Sequence, residues 1–232
     1  MFDPVRFPYA PDAEYRPSGP ELGTARQLMA VFDAYGVQHA LIVGPNSGYG
    51  EDSRCLLDAV ALGGGRFKGA AVVPNDVPRA ELVRLKAAGV VAVTFQAALL
   101  GVAHFRNART LLAELAALDM FVDVQVEGDQ LVSLWPLIED SGVRVLVDHC
   151  GRPVPERGVG QAGFRALLAL AATGRVTVKL SGMIKCSRRG YPYPDAWPYV
   201  EALLEAFGVE RCVWDRTGRS CARPSGSTPA PC

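Results

Sequence analysis

The scarcest residue with chemical reach is histidine. Only His39, His104 and His149 are present, so a His-rich site cannot be built. Long apolar runs are also missing, and none approaches the ~20 residues of a membrane span. Net charge is absent, with 24 Lys plus Arg against 24 Asp plus Glu. A neutral chain lacks the basic surface that general nucleic-acid or anionic-membrane binding needs. The N-terminal MFDPVRFPYAPDAEYRP lacks the basic start and apolar stretch of a secretory signal. Cysteine pairs in C-x-x-C spacing are absent too. Cys55, Cys150, Cys186, Cys212, Cys221 and Cys232 are scattered and read as reduced thiols of a cytoplasmic protein.

What is present is a sizeable apolar fraction, 49% of 232 residues, enough for one large domain or two small ones. Residues 1–22, rich in Pro, Tyr and Asp, read as a loop. After them one pattern recurs. Helical spacing over Gly23–Tyr35, with Leu28, Val31 and Phe32 on one face, is followed by a short strand, Ala40–Val43. The loop GPNSGYGED follows, and Asp52 or Ser53 caps a helix through Leu62. Gly63–Gly65 follow a helix, not a strand, so they read as a turn and not a phosphate loop.

Strands are then predicted at Lys68–Val73, Val90–Phe95, Phe121–Val126, Val143–Val147, Val176–Leu180 and Arg211–Trp214. Helices alternate with them at Pro78–Ala88, Phe105–Leu118, Asp129–Ser141, Ala162–Ala172 and Asp195–Phe207, and glycine is expected to end each helix. Strict alternation implies a parallel sheet with helical crossovers. Seven such units without a two-domain break favour a (β/α)8 TIM barrel, incomplete because the first strand and the last helix are missing. One domain is expected over residues 1–214, with a disordered tail at 215–232.

Chemistry in such a fold belongs at strand C-termini. The stretch VRVLVDHCGRP, Val143–Pro153, ends a β-branched run in Asp148 and His149. Other polar strand ends carry Asn75 and Asp76; Thr94 and Gln96; Asp123, Gln125 and Glu127; and Lys179, Ser181, Lys185 and Arg188. Any single one of these is more often a cap or turn residue than a functional one.

The motifs FDPVRFPYAP, VRVLVDHCGRP and VTVKLSG together resemble the amidohydrolase-related TIM-barrel hydrolases. The nearest likeness is to the 2-pyrone-4,6-dicarboxylate lactonase and sugar-lactonase branch, and it runs from Phe2 to Trp214. The resemblance implies hydrolysis of a lactone or related cyclic ester. It makes His149 catalytic, at the lactone carbonyl, and Arg152 the fork for a substrate carboxylate. An Arg bridging loops is the alternative for Arg152. Tyr9 matches the family's FPY tyrosine. Gln125, Lys179, Ser47 and Tyr49 complete the expected substrate-binding set, which is to converge at one barrel end. Gln125 stands where metal-dependent members carry His or Lys, so no cofactor is expected here; a divalent metal such as zinc belongs to intact relatives. His39 and His104 are expected on the surface. The dicarboxylate lactonase carries an Arg where this chain reads VTFQ, which points to a less acidic lactone. The expected partner is a small molecule, with no nucleic acid and no membrane; oligomeric state is not legible. A metal-dependent decarboxylase of the same superfamily is a further alternative.

Two stretches depart from the family. Family members carry a strand-one His-x-His just before the segment that here reads FDP, and a strand-eight Asp in Trp-Gly-(Ser/Thr)-Asp-Trp-Pro. After RCVW this chain continues DRTGRSCARPSGSTPAPC. Permitted codons for that tail, read two bases later, give PDWPFLRAPERVDSGPL, which contains Asp-Trp-Pro. A single-base deletion after the Trp214 codon is therefore expected, and the start is expected to fall inside strand one. The strand-eight Asp would be the general base on water, and Asp215 falls two positions early. The chain as written is expected to be a weak or inactive hydrolase.

Overall fold

A computed structural model describes residues 1–13 and 15–214. Helices and strands alternate in it: α1 (Ala25–Ala34), β1 (Ala40–Val43), the short α2 (Asn46–Tyr49), α3 (Arg54–Leu62), β2 (Phe67–Ala71), α4 (Arg79–Ala87), β3 (Val90–Gln96) and the short α5 (Ala97–Leu100). They continue with α6 (Arg109–Ala117), β4 (Phe121–Gln125), α7 (Gln130–Glu139), β5 (Arg144–Val147), α8 (Ala162–Ala169), β6 (Val176–Leu180), α9 (Trp197–Phe207) and β7 (Cys212–Trp214).

Each strand pairs in parallel with the next, so the sheet order follows the sequence from β1 to β7. Right-handed crossovers that always advance one way place every helix on the same face. Such a sheet curls around its other face; an open doubly wound sheet would reverse its order midway. The expectation of a parallel, incomplete barrel is met by seven strands among the described residues. The expected tail, 215–232, lies outside the described residues.

The period-2 geometry of strands then decides which side chain goes where. Val122 and Val124 of β4, Val145 and Val147 of β5, and Val176 and Val178 of β6 join one core with Leu112, Leu115, Leu131, Leu134, Leu167 and Leu203 from the helices. That layer lies between sheet and helices. Burying a Val or Leu side chain fully contributes about 1.5–3 kcal/mol, so this layer carries much of the stability. The intervening residues Asp123, Gln125, Leu146, Thr177 and Lys179 face the interior. Asp148 and Ser181, one step past β5 and β6, continue that face.

Several elements differ from their predicted bounds, each for a local reason. GPNSGYGED is not all loop, because Asn46–Tyr49 closes into the single turn α2. The helix predicted from Phe105 starts at Arg109, and residues 102–105 form a separate 3-10 turn. Ser53 makes no side-chain cap for α3; Asp52 Oδ1 accepts from the Arg54 N–H at 3.0 Å instead. Not every helix ends in Gly: after α6 it is Asp119 that takes φ +50, a conformation that short polar side chains tolerate. At α1 the chain has a capping box, Thr24 with Gln27, inside the predicted Gly23 start.

Candidate active site

β4, β5 and β6 deliver a buried ionic cluster to the interior. Lys179 Nζ lies 2.5 Å from Asp148 Oδ1, and 3.0 Å and 3.1 Å from the two oxygens of Asp123. Gln125 Nε2 reaches Asp148 Oδ2 at 3.5 Å. Asp123 is fully buried, and Lys179 and Asp148 are each 4% exposed. Two carboxylates and one ammonium would leave an uncompensated buried charge. Burial, then the neighbouring Asp148 charge, pushes Asp123 well above the usual carboxylate range, and Lys179 offsets only part of this. Burial also works against the charge on Asp148, but Lys179 and His149 outweigh it and hold Asp148 below that range. The pair therefore keeps one proton, on Asp123, and the cluster is neutral.

Beyond β5 the backbone turns sharply. His149, Cys150, Gly151 and Arg152 have φ of 50°, 55°, 71° and 45° in succession. Left-handed backbone costs a non-Gly residue ~1–2 kcal/mol, so this run stores roughly 3–6 kcal/mol. Such strain persists where surroundings over-determine it, and it clusters at functional sites. Here the fixing contacts are specific. The Gly151 N–H donates to Asp148 O at 2.8 Å, and the Arg152 N–H to His149 O at 2.9 Å. The Cys186 thiol donates to His149 O at 3.5 Å. At Gly151 a Cβ would come within 2.8 Å of Leu167 Cδ2.

The turn aims His149 inward, 5% exposed. Its Nδ1 lies 2.8 Å from Ser181 Oγ, and its Nε2 lies 3.8 Å from Asp148 Oδ2. Gly182, at φ +64°, makes room for the ring: a Cβ there would lie 2.9 Å from His149 Cβ and Cγ. Arg152 points to the loop after β4 and pairs with Glu127 at 2.9 Å.

Of the predicted set, His149, Lys179 and Gln125 meet around Asp148, and Arg152 stands one turn away. Ser47, Tyr49 and Tyr9 form a second group, on the loop after β1. Tyr9 stacks on Tyr49 with ring centroids 5.5 Å apart. Tyr9 donates from its hydroxyl to Pro17 O at 2.6 Å, and Tyr49 Oη accepts from the Asp3 N–H at 2.9 Å. Ser47 O accepts from the Tyr15 N–H at 3.2 Å. Burial pushes both phenols up, so both are neutral. The two groups sit at the same, C-terminal, end of parallel strands. His39 and His104 are exposed, as expected. Asp215 lies outside the described residues.

Sequence reasoning marked Asp123, Asp148 and Ser181 as strand-end polar residues without assigning them to the site. The missing signal was register: β4, β5 and β6 are consecutive in the sheet, which stacks their interior residues. A metal fits this donor set poorly. Among the described residues no group of three His, Cys, Asp or Glu side chains could hold an ion. Asp123 and Asp148 face the Lys179 ammonium, which already supplies the positive charge between them.

The amidohydrolase family model matches residues 2–215. The 4-sulfomuconolactone hydrolase of Rhizobium radiobacter is 30% identical over 92% of this chain and 71% of its own length. The 2-pyrone-4,6-dicarboxylate hydrolase of Comamonas testosteroni is 28% identical over 90% of this chain and 70% of its own. Among solved structures, a protein of Acinetobacter baumannii described as a probable 2-pyrone-4,6-dicarboxylic acid hydrolase, with citric acid bound, superposes with a TM-score of 0.79. That likeness has 24% identity and covers 89% of this chain and 77% of that one. With the parallel order, the interior cluster and a match over nearly all of its length, this chain belongs to the amidohydrolase family.

Proposed function

We propose that the site serves hydrolysis of a lactone, or a related cyclic ester, of a small carboxylated or sugar-derived molecule. The observation that carries this is the strained turn that sets His149 beside a neutral carboxylate–ammonium cluster. The relatives' activities point the same way. In the reaction water adds to the lactone carbonyl carbon, the carbonyl oxygen takes up negative charge, and the ring C–O bond breaks to give a hydroxy acid. His149 meets that developing charge as a hydrogen-bond donor, in a site from which water is largely excluded. Arg152 orients a substrate carboxylate, which must share or displace its pairing with Glu127. Gln125 and Lys179 line the floor, and Ser47, Tyr49 and Tyr9 the β1 side. Thr94 and Gln96, in place of the family's Arg, favour a less acidic lactone than the pyrone dicarboxylate.

The same reading carries a small-molecule substrate, no nucleic-acid or membrane partner and a cytoplasmic location. Free Cys55, Cys150, Cys186 and Cys212 suit a reducing compartment. No helix among the described residues is long and apolar enough to cross a membrane. A second reading, an inactive product, is favoured by one observation: DRTGRSCARPSGSTPAPC replaces the Asp-Trp-Pro segment whose Asp would activate water. Ring opening is measured on a panel of carboxylated and sugar lactones, for the chain as written and for a form with the shifted frame restored. Turnover in the restored form alone supports both readings together. No turnover in either form overturns the lactone assignment.

A further inference from the structure

Among the described residues, the buried side-chain atoms without a hydrogen bond are Thr94 Oγ1, Asp123 Oδ1, Asp148 Oδ1 and Arg152 Nε. The two carboxylate oxygens still face the Lys179 ammonium, at 3.0 Å and 2.5 Å. Arg152 meets Glu127 through its Nη2. Thr94 is different, because its single polar side-chain atom is the orphan. The residue is 4% exposed. Its chain neighbours Val93 and Phe95 belong to the core between sheet and helices. The period-2 rule therefore turns Thr94 to the interior face. Register pairs Thr94 with Asp123 and Gln96 with Gln125, so the hydroxyl stands on the β3 wall of the ionic cluster.

A buried hydroxyl without a partner is destabilising, and valine would fill the same space without that cost. Threonine is accounted for at this position if a bound molecule completes the bond. The chemistry of that molecule follows from the wall. A hydroxyl both donates and accepts, and carries no charge. The neighbouring cluster is neutral and has no spare positive charge for a carboxylate. A neutral hydroxyl on the bound molecule suits both conditions.

We propose that Thr94 is a specificity-determining residue: its hydroxyl hydrogen-bonds a hydroxyl of the substrate, so the site selects a lactone of the sugar-acid class over one without hydroxyls. This rests on the lactone reading above and names the substrate class within it. A site built to bond a substrate hydroxyl discriminates against the analogue that lacks it, because its own buried group is then left unpaired.

The test uses T94V, which keeps the shape and removes the hydroxyl, and T94S, which keeps the hydroxyl. In the free protein T94V breaks no bond, so its melting temperature is expected to equal or exceed that of wild type. A lower melting temperature would show the hydroxyl already bonded in the free protein, and would overturn the proposal. Binding is then measured by titration calorimetry on the chain as written. One probe is galactarolactone, which carries a carboxylate and hydroxyls; the other is 2-pyrone-4,6-dicarboxylate, a lactone without hydroxyls. T94V is expected to weaken galactarolactone binding about 5- to 10-fold, the usual worth of one neutral hydrogen bond, and to leave the pyrone unchanged. T94S is expected to bind both as wild type does. An equal effect of T94V on both probes, or none on galactarolactone, overturns the assignment of Thr94 and leaves the lactone reading standing. Wild-type binding of neither probe removes the lactone reading and this assignment with it.

Discussion

Lys179 is the residue on which the interior depends most heavily. It is the cation between two buried carboxylates, and removing one partner of a buried pair typically costs ~3–5 kcal/mol. K179M is therefore expected to lose about that much stability in urea unfolding; a loss below ~1 kcal/mol would show that the cluster is not closed as described. Asp123 gives the opposite kind of test. Its folded pKa lies above the unfolded value near 3.8, so its contribution is fully present below that value. That contribution is lost as pH rises through the folded pKa. Asp148 runs the other way, contributing above 3.8 and losing that as pH falls through its depressed pKa. D123N keeps a donor toward Asp148 without the titration. Relative to wild type, D123N should gain stability as pH rises above the unfolded value near 3.8, until the raised folded pKa is passed; a constant difference would mean Asp123 is ionised throughout. Lys179, Gln125 and His149 are legible in sequence because each closes an apolar strand. Their partners are not, because an ion pair across three strands depends on register that no local pattern encodes.

At the scale of elements, β1 and β6 fall at their predicted bounds, since a short apolar run between turn residues leaves little latitude. The start of α6 does not, because the apolar spacing continues through Val102–Phe105 while the backbone there is 3-10. The left-handed run from His149 to Arg152 is almost invisible in sequence: of its four residues only Gly151 advertises positive φ. The docking of α8 is similar. Its second residue, Gly163, donates from its N–H to Asp129 Oδ1 at 2.7 Å, and a Cβ there would lie 1.9 Å from Gly128 O. Gly to Ala inside a helix is ordinarily favourable by ~1 kcal/mol. G163A should instead lower the melting temperature, because the overlap forces the helix off the β4 loop at a cost of roughly 1–3 kcal/mol. A higher melting temperature for G163A would contradict this packing.

Across the whole molecule, the sheet order and the single helical face follow from strict alternation together with right-handed crossovers. That is why the barrel is legible from short apolar runs alone. The site is legible only in part. Its β5 turn carries the recognisable DHCGRP stretch, whereas the aromatic group of Tyr9 and Tyr49 is anchored by backbone groups of Pro17 and Asp3, contacts that no local sequence pattern encodes. Restoring the frame after Trp214 is expected to raise turnover and soluble yield together, since it returns the Asp-Trp-Pro segment to the end of β7. Equal yield and rate in both forms would remove the frameshift explanation. The most direct measurement is lactone ring opening by the restored form and its H149N variant, both shown to be folded. The predicted result is ring opening that H149N lowers by about 10²–10³-fold, the usual loss for one oxyanion donor. Ring opening at the same rate in H149N would show that the chemistry lies elsewhere.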